Sequence, residues 1–283
     1  MNLTPVELLL VGLAGVGTGL IGAVLGTGGG VFLIPILVVG VGLPIHHAVA
    51  TSIVTVIATS SAAASANVER GTANMRLGMT LEVATALGAI AGGLTAAVIA
   101  PRALEAIFAI VLLPSAALMW RRSEPTDAGA VGESGATDAG ELGGAYLDAA
   151  TGRRVVYRVR RLWAGLGVSF VAGNLSGLLG IGGGVFKVPA LHLLCGMPIK
   201  AAAATSNFMI GVTAAASAFL YYGRGEVRPG TTAAAVLGVL AGSAAGSALS
   251  SRVRGAVVRK LFALLLALVA VQILYRAAAG GSP

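Results

Sequence analysis

Gly26-Thr27-Gly28-Gly29-Gly30-Val31-Phe32-Leu33-Ile34-Pro35 recurs 154 residues later as Gly180-Ile181-Gly182-Gly183-Gly184-Val185-Phe186-Lys187-Val188-Pro189. Without a gap, the same offset carries Gly42, Pro44 and Ile45 onto Gly196, Pro198 and Ile199, and Thr51-Ser52 onto Thr205-Ser206. It also carries Thr59 onto Thr213 and Arg70-Gly71 onto Arg224-Gly225. A register held over that distance means two copies of one unit, and repetition of this kind sets the architecture before any local signal does.

The solvent of those copies follows from composition. Of 283 residues, 56% are hydrophobic and 11% charged, and the mean hydropathy is +0.90, well above that of an ordinary water-soluble domain. A bilayer core asks for about 20 apolar residues per helical span. Apolar segments of that order run over residues 5–25, 28–43, 45–66, 78–100 and 102–120, and again over 162–180, 183–197, 199–222, 231–250 and 255–276. The expected fold is an all-α membrane protein with about ten hydrophobic segments in two inverted repeats, each with a short glycine-broken helix. The alternative is eight spans plus two re-entrant segments. The segment from Met1 to Val16 lacks a basic leader and reads as the first permanent span.

The expected division is a first transmembrane repeat over 1–120, a cytoplasmic polar linker over 121–161 and a second repeat over 162–283. The linker gathers Glu124, Asp127, Glu133, Asp138, Glu141 and Asp148 and does not belong in hydrocarbon. Its later part, Ala145 to Asp148 and Val155 to Val159 around Thr151-Gly152, reads either as a small hairpin or as an irregular loop. With five spans per half the copies are inverted, as in many secondary transporters. The charges then sort with a positive inside. Arg70, Arg76, Arg121, Arg122, the Arg153–Arg161 group, Lys200, Arg252, Arg254, Arg259 and Lys260 fall on one face, and Arg102, Arg224, Arg228 and Arg276 on the other. The net charge of +8 is spread in short clusters between apolar runs, a pattern of topology signals and lipid headgroup contacts rather than of nucleic-acid binding. The single cysteine, Cys195, rules out an intramolecular disulfide.

Glycine runs free the backbone to leave a helix, and an open backbone at membrane depth is tolerated only inside protein or beside a watery cavity. The segments after each run are short and interrupted by Pro35 and Pro189, and two helix N-termini from inverted halves would suit an anion. The expected substrate-binding set is therefore Gly28, Gly29 and Gly30 with Gly182, Gly183 and Gly184, the hydroxyls Thr51, Ser52, Thr205 and Ser206, and Asn207. Lys187 joins them as a cation within an apolar segment. Its repeat mate is Leu33, so the site is asymmetric. The competing reading of Lys187 is snorkelling to an interface, and of the glycines, close helix packing. His47 and His192 are candidates for a proton or anion relay. Glu7, Glu82 and Glu105 stand near segment ends, so no carboxylate cage for a cation is visible and the substrate is expected to be an anion.

The runs GLLGIGGGVFKVPAL (177–191) and GMPIKAAAATSNF (196–208), echoed by GTGGGVFLIPIL (26–37) and ATS (50–52), make the chain similar to the TauE/SafE family, often called sulfite exporters. The similarity covers both halves. It implies a multi-pass plasma-membrane permease for sulfite, a sulfonate or a related sulfur oxyanion; the two inverted halves suggest that it works by alternating access. An anion channel or a carrier of an unrelated small organic solute is the alternative. A membrane enzyme is disfavoured, because one cysteine, three histidines and no paired intramembrane carboxylates make no catalytic set. No cofactor or metal is expected. The expected partners are the lipid bilayer and a small anion, with proton coupling as a companion to the anion and the oligomeric state left open.

Overall fold

The computed structural model describes residues 4–25, 30–121, 140–148, 152–180 and 182–249, together with 264, 267, 270 and 271. Gly28 and Gly29, and most of the segment at 255–276, lie outside the described residues.

In chain order the helices are α1 (Pro5–Leu25), α2 (Gly30–Pro35), which passes into a π-helical turn at Ile36–Gly40, α3 (Ile45–Glu69), α4 (Met75–Val98) and α5 (Pro101–Arg121). After the hairpin β1 (Gly144–Asp148) and β2 (Arg153–Tyr157) come α6 (Leu162–Leu179), α7 (Gly184–Leu193), α8 (Ile199–Gly223) and α9 (Pro229–Leu249). Among the described residues, the helices Ile45–Glu69, Met75–Val98, Leu162–Leu179 and Lys200–Gly223 are long and apolar enough to cross a bilayer. The chain is an all-α membrane protein with a small β hairpin. On α4 the side chains of Met79, Val83, Leu87, Ile90 and Leu94 are exposed while Leu77, Leu81, Thr85, Ala89 and Ala96 are buried. That helical alternation puts an apolar face outward, which is stable only in lipid.

Helix bounds follow the sequence offset: Ile45–Glu69 maps onto Ile199–Gly223, and Met75 onto Pro229. The packing follows it too. α1 lies along α9 and α4 along α6, while α3 and α8, equivalent members of the two copies, cross each other. The α1–α9 and α4–α6 seams are made by glycines spaced four apart. A Cβ on Gly88 or Gly92 of α4 would run into the Phe170 and Asn174 backbone of α6, and one on Gly173 or Gly177 into Thr85 and Ala89. Gly19 and Gly242 meet the facing backbone of α9 and α1 in the same way. In a bilayer, where lipid tails solvate apolar side chains as well as a neighbouring helix does, such backbone approach is a main source of helix association.

Proline acts differently in the two copies. Pro35 closes the α-helical part of its segment, and the chain widens into the π turn closed by the Val41 N–H donating to the Ile36 carbonyl. In the second copy, where an interruption at Pro189 is expected, α7 runs through it to Leu193. One missing donor near the helix start removes one hydrogen bond, and the turn that follows continues.

The hairpin pairs Gly144 with Tyr157 and Asp148 with Arg153 in antiparallel register. Tyr146 and Tyr157 are buried with Leu77 and Leu81 of α4, Leu191 of α7, Cys195, Met197 and Ala201. The Arg160 N–H donates to the Cys195 carbonyl, and the Asn74 side chain donates to the Leu142 carbonyl. Thus the hairpin closes the end of the bundle where α4 and α8 begin and α7 ends. Burial pushes the Tyr157 phenol above its ordinary range, so it stays neutral there.

Candidate functional site

The glycine run of the second copy bends the chain sharply. Gly180, Gly182 and Gly183 hold φ of 68°, 74° and 69°, a left-handed backbone that side chains resist. This turn ends α6, whose last N–H bond runs from Gly180 to the Ser176 carbonyl, and starts α7. Side chains are excluded as well as strained: a Cβ on Gly182 would press on Ile210 and Val56, and one on Gly184 on Ile210 at 2.6 Å. The first copy reaches the same place. A Cβ on Gly30 would meet Val56, the Ser52 hydroxyl at 2.9 Å and the Gly180 carbonyl at 3.5 Å. Gly30 of the first run and the glycine turn of the second therefore meet beside the α3–α8 crossing.

The hydroxyls predicted for the site divide into distinct roles. Ser52 Oγ lies 3.0 Å from the Gly30 carbonyl and 2.9 Å from the Gly180 carbonyl. Its one proton donates to either, so it ties the start of α2 to the end of α6. Its repeat mate Ser206 is fully buried, yet its Oγ has no hydrogen-bond partner among the described residues. It lies 3.8 Å from the position a Cβ on Gly184 would take, at the N-terminus of α7. Thr205 accepts from the Asn74 N–H at 2.9 Å and so helps to fix the start of α4. Asn74 adds a side-chain cap, accepting from the Leu77 N–H. Thr51 is buried and Asn207 half-buried.

Lys187 neither snorkels nor stands alone. It is 2% exposed, and its Nζ donates to Thr213 Oγ1 at 2.7 Å. Side chains lean toward their own helix N-terminus, which carries the ammonium back toward the glycine turn: Ile210 faces Gly184, and Thr213 is the next turn of α8. Thr213 Oγ1 lies 2.7 Å from Glu82 Oε1 and 2.8 Å from the Met209 carbonyl. Its single proton donates to one of them while its oxygen accepts from Lys187. Glu82 Oε2 is 4.0 Å from the ammonium, beyond hydrogen-bond reach, and has no hydrogen-bond partner among the described residues.

This corrects the placement of Glu82. It is not at a segment end but on the buried face of α4, two turns in, and 6% exposed. The interior therefore does hold a carboxylate, paired with the only cation expected there. A signal for it existed in the repeat. The offset pairs Glu82 with Val236 just as it pairs Lys187 with Leu33, while Thr213 keeps its hydroxyl as Thr59. Both charges are exchanged for apolar side chains in the other copy, and residues that change together across a repeat invite the idea of contact.

The two histidines stand elsewhere. His47, at the start of α3, lies with Nδ1 2.7 Å from the Glu226 carbonyl and Nε2 3.2 Å from the Arg228 guanidinium. A carbonyl only accepts and a guanidinium only donates, which fixes the neutral Nδ1–H tautomer. His192 places Nδ1 2.7 Å from the Met197 carbonyl and so braces the turn between α7 and α8. Neither ring touches the Lys187 cluster.

Chemically, the arrangement offers an inorganic or organic anion a helix N-terminus that opens on glycine against Ile210, an unused hydroxyl donor and a buried ammonium. These are the elements of anion recognition. Among the described residues no group of His, Cys, Asp and Glu is placed to hold a metal ion.

Comparison with known proteins gives a consistent picture. The family model described as Sulfite exporter TauE/SafE matches residues 11–273. The chain is similar to a probable membrane transporter protein, YunE, of Bacillus subtilis (strain 168), with 25% identity over 268 residues, which is 91% of this chain and 93% of the relative. No solved structure matches.

Proposed function

Because the chain belongs to the sulfite exporter TauE/SafE family of membrane transporters, we propose that it is a secondary carrier of a small anion, sulfite, a sulfonate or a related sulfur oxyanion, in the plasma membrane. The observation that carries this reading is the orphan Ser206 hydroxyl at the N-terminus of α7, the helix that also carries the buried Lys187. A buried donor without a partner costs about 1–3 kcal/mol, a cost that an anion oxygen relieves on binding. The substrate site in this proposal comprises Gly28, Gly29, Gly30, Gly182, Gly183 and Gly184, with Thr51, Ser52, Ser206, Asn207 and Lys187. Thr205 shapes it through Asn74.

Alternating access draws support from symmetry. α3 and α8 are equivalent and cross antiparallel, since Gly211 faces Ser60 while His47 meets Glu226. An axis exchanging two antiparallel spans lies in the membrane plane, as an inverted repeat requires. Burial favours a carrier over an open channel: Lys187, Thr213 and Ser206 are sealed from solvent, so both ends of the path must open in turn. In this reading 121–161 is cytoplasmic.

The test is uptake of radiolabelled sulfite into proteoliposomes, with sulfate, thiosulfate and methanesulfonate as competitors. Saturable flux with a ranked competition series is expected, and Lys187→Ala should lower it at least tenfold per folded molecule. Full flux in that variant would remove Lys187 from the site. No flux of any of these anions would point to a different solute.

A further inference from the structure

Three features outside the anion-binding set invite a role: the His47–Glu226–Arg228 cluster, the hairpin over the end of α7, and Glu82. In the first, His47 is held between the Glu226 carbonyl and the Arg228 guanidinium, and the second closes one end of the bundle without offering a ligand group. Glu82 combines a buried charge, an unpartnered oxygen and a contact with the site.

We propose that Glu82 is the resident counter-ion of Lys187 and the proton acceptor that couples anion movement to a proton. The inference rests on the anion-carrier reading above.

The geometry is that of a loose pair. A buried carboxylate and ammonium normally close to a charge-assisted hydrogen bond of about 2.7–2.9 Å. Here they stand 4.0 Å apart with Thr213 bridging them, and Glu82 Oε2 accepts nothing among the described residues. The pair keeps the empty site neutral, which the interior demands. A monovalent anion arriving on the Lys187 ammonium would add one negative charge to a sealed pocket. One proton, delivered by water to Glu82 Oε2, cancels it: Lys⁺ with Glu⁻ becomes Lys⁺ with a neutral carboxylic acid and the anion. The net charge is zero before and after, and the proton leaves to water on the other side when the anion does.

Thr213 has the freedom this exchange needs. While Glu82 is ionised the hydroxyl donates to Oε1; once Glu82 is protonated it turns to the Met209 carbonyl, also within bonding distance. Of the elements packed here, α6 carries no ionisable side chain between Leu162 and Leu179; α7 presents Lys187 and, in its last turn, His192; α8 presents Thr213, with Lys200 at its start and Tyr221 near its end, over which Arg224 stacks while donating to the Gly93 carbonyl of α4. Arg76 of α4 is exposed, and the hairpin brings Tyr146 and Tyr157 to the Leu81 side. Because Leu33 and Val236 replace the pair in the other copy, each chain holds one such coupling site.

The experiment is proteoliposome transport by wild type and Glu82→Gln, using radiolabelled sulfite, thiosulfate and methanesulfonate as probes. Gradient-driven accumulation is measured alongside exchange at equal pH on both sides, and amounts are normalised to protein that elutes as a single folded peak. Taking the ratio of variant to wild type cancels any titration of the probe itself. Wild type should accumulate a monovalent anion about tenfold per pH unit of gradient, the factor by which proton activity changes. Glu82→Gln, a permanent mimic of the protonated acid, should accumulate none beyond equilibrium, and its exchange should lose the fall that wild type shows toward alkaline pH. Gradient-driven accumulation retained by Glu82→Gln, or wild-type flux indifferent to the gradient, overturns the coupling role and leaves the carrier standing. Absence of wild-type flux for every probe overturns both. Should Glu82→Gln fail to fold, the repeat-matched double variant Lys187→Leu with Glu82→Val serves instead: it is expected to fold without transporting, and gradient-driven flux in it refutes the proposal.

Discussion

The Lys187–Glu82 pair makes a prediction about stability that is independent of any substrate. Both groups are nearly sealed, their side chains 1% and 8% exposed, so removing either strands a charge in a medium that solvates it poorly. For buried pairs the cost of deleting one partner is about 3–5 kcal/mol, whereas replacing both by apolar residues is often neutral or stabilising. The protein supplies its own apolar template, since Leu33 and Val236 occupy the equivalent places. Lys187→Leu and Glu82→Val alone should each lower the melting temperature by about 6–20 °C, taking about 2–4 °C per kcal/mol for a large domain. The double variant should return to within about 4 °C of wild type. Thermal unfolding of detergent-purified protein, followed by the loss of the monodisperse peak on size exclusion, measures all four proteins in one series. A double variant as damaged as the two singles added together would refute the reasoning, because it would mean that the two charges do not act as one unit.

Other outcomes follow from neighbouring contacts. Thr205→Val deprives the Asn74 N–H of its acceptor and should cost about 1–3 kcal/mol of stability. Ser206→Ala removes a buried hydroxyl that bonds nothing described, so it should raise stability by about 1–3 kcal/mol while reducing anion flux; parallel melting and flux assays separate the two. Gly92→Leu forces a side chain into the Asn174 backbone and should abolish the folded fraction in membranes, whereas Leu87→Ala on the exposed face of the same helix should not. Leu147→Cys in a Cys195→Ala background places a thiol on the exposed side of the hairpin. With 121–161 cytoplasmic, a membrane-impermeant maleimide should label it in inverted vesicles and not in intact cells, and the reverse pattern would invert the topology.

Much of the architecture is visible in the linear chain because the bilayer imposes simple requirements. Runs of apolar residues long enough to span, and the 154-residue offset that reappears in the helix bounds of α3 and α8, depend on local composition and register. The convergence of Gly30 with Gly180 is foreshadowed by the duplicated runs. The interruption expected at Pro189 is absent: α7 runs on to Leu193, while Pro35, at the same place in its copy, is followed by the π turn, a difference that the repeated sequence does not mark. The division of labour among the hydroxyls was closed to sequence reasoning. Ser52 and Ser206 are the same residue at the same repeat position, yet one spans two carbonyls and the other bonds none described.

What the sequence determined by itself is the solvent, the repeat and the presence of Lys187 within an apolar segment, since each is a property of neighbours along the chain. What only the tertiary structure decided is that Glu82, 105 residues before Lys187, is its partner. Helices α4 and α7 meet there through α6 and α8, whose glycines and hydroxyls set the approach. The electrostatic balance of a buried site depends on such meetings, because in a poorly solvating interior a charge takes its meaning from whichever opposite charge folding brings near.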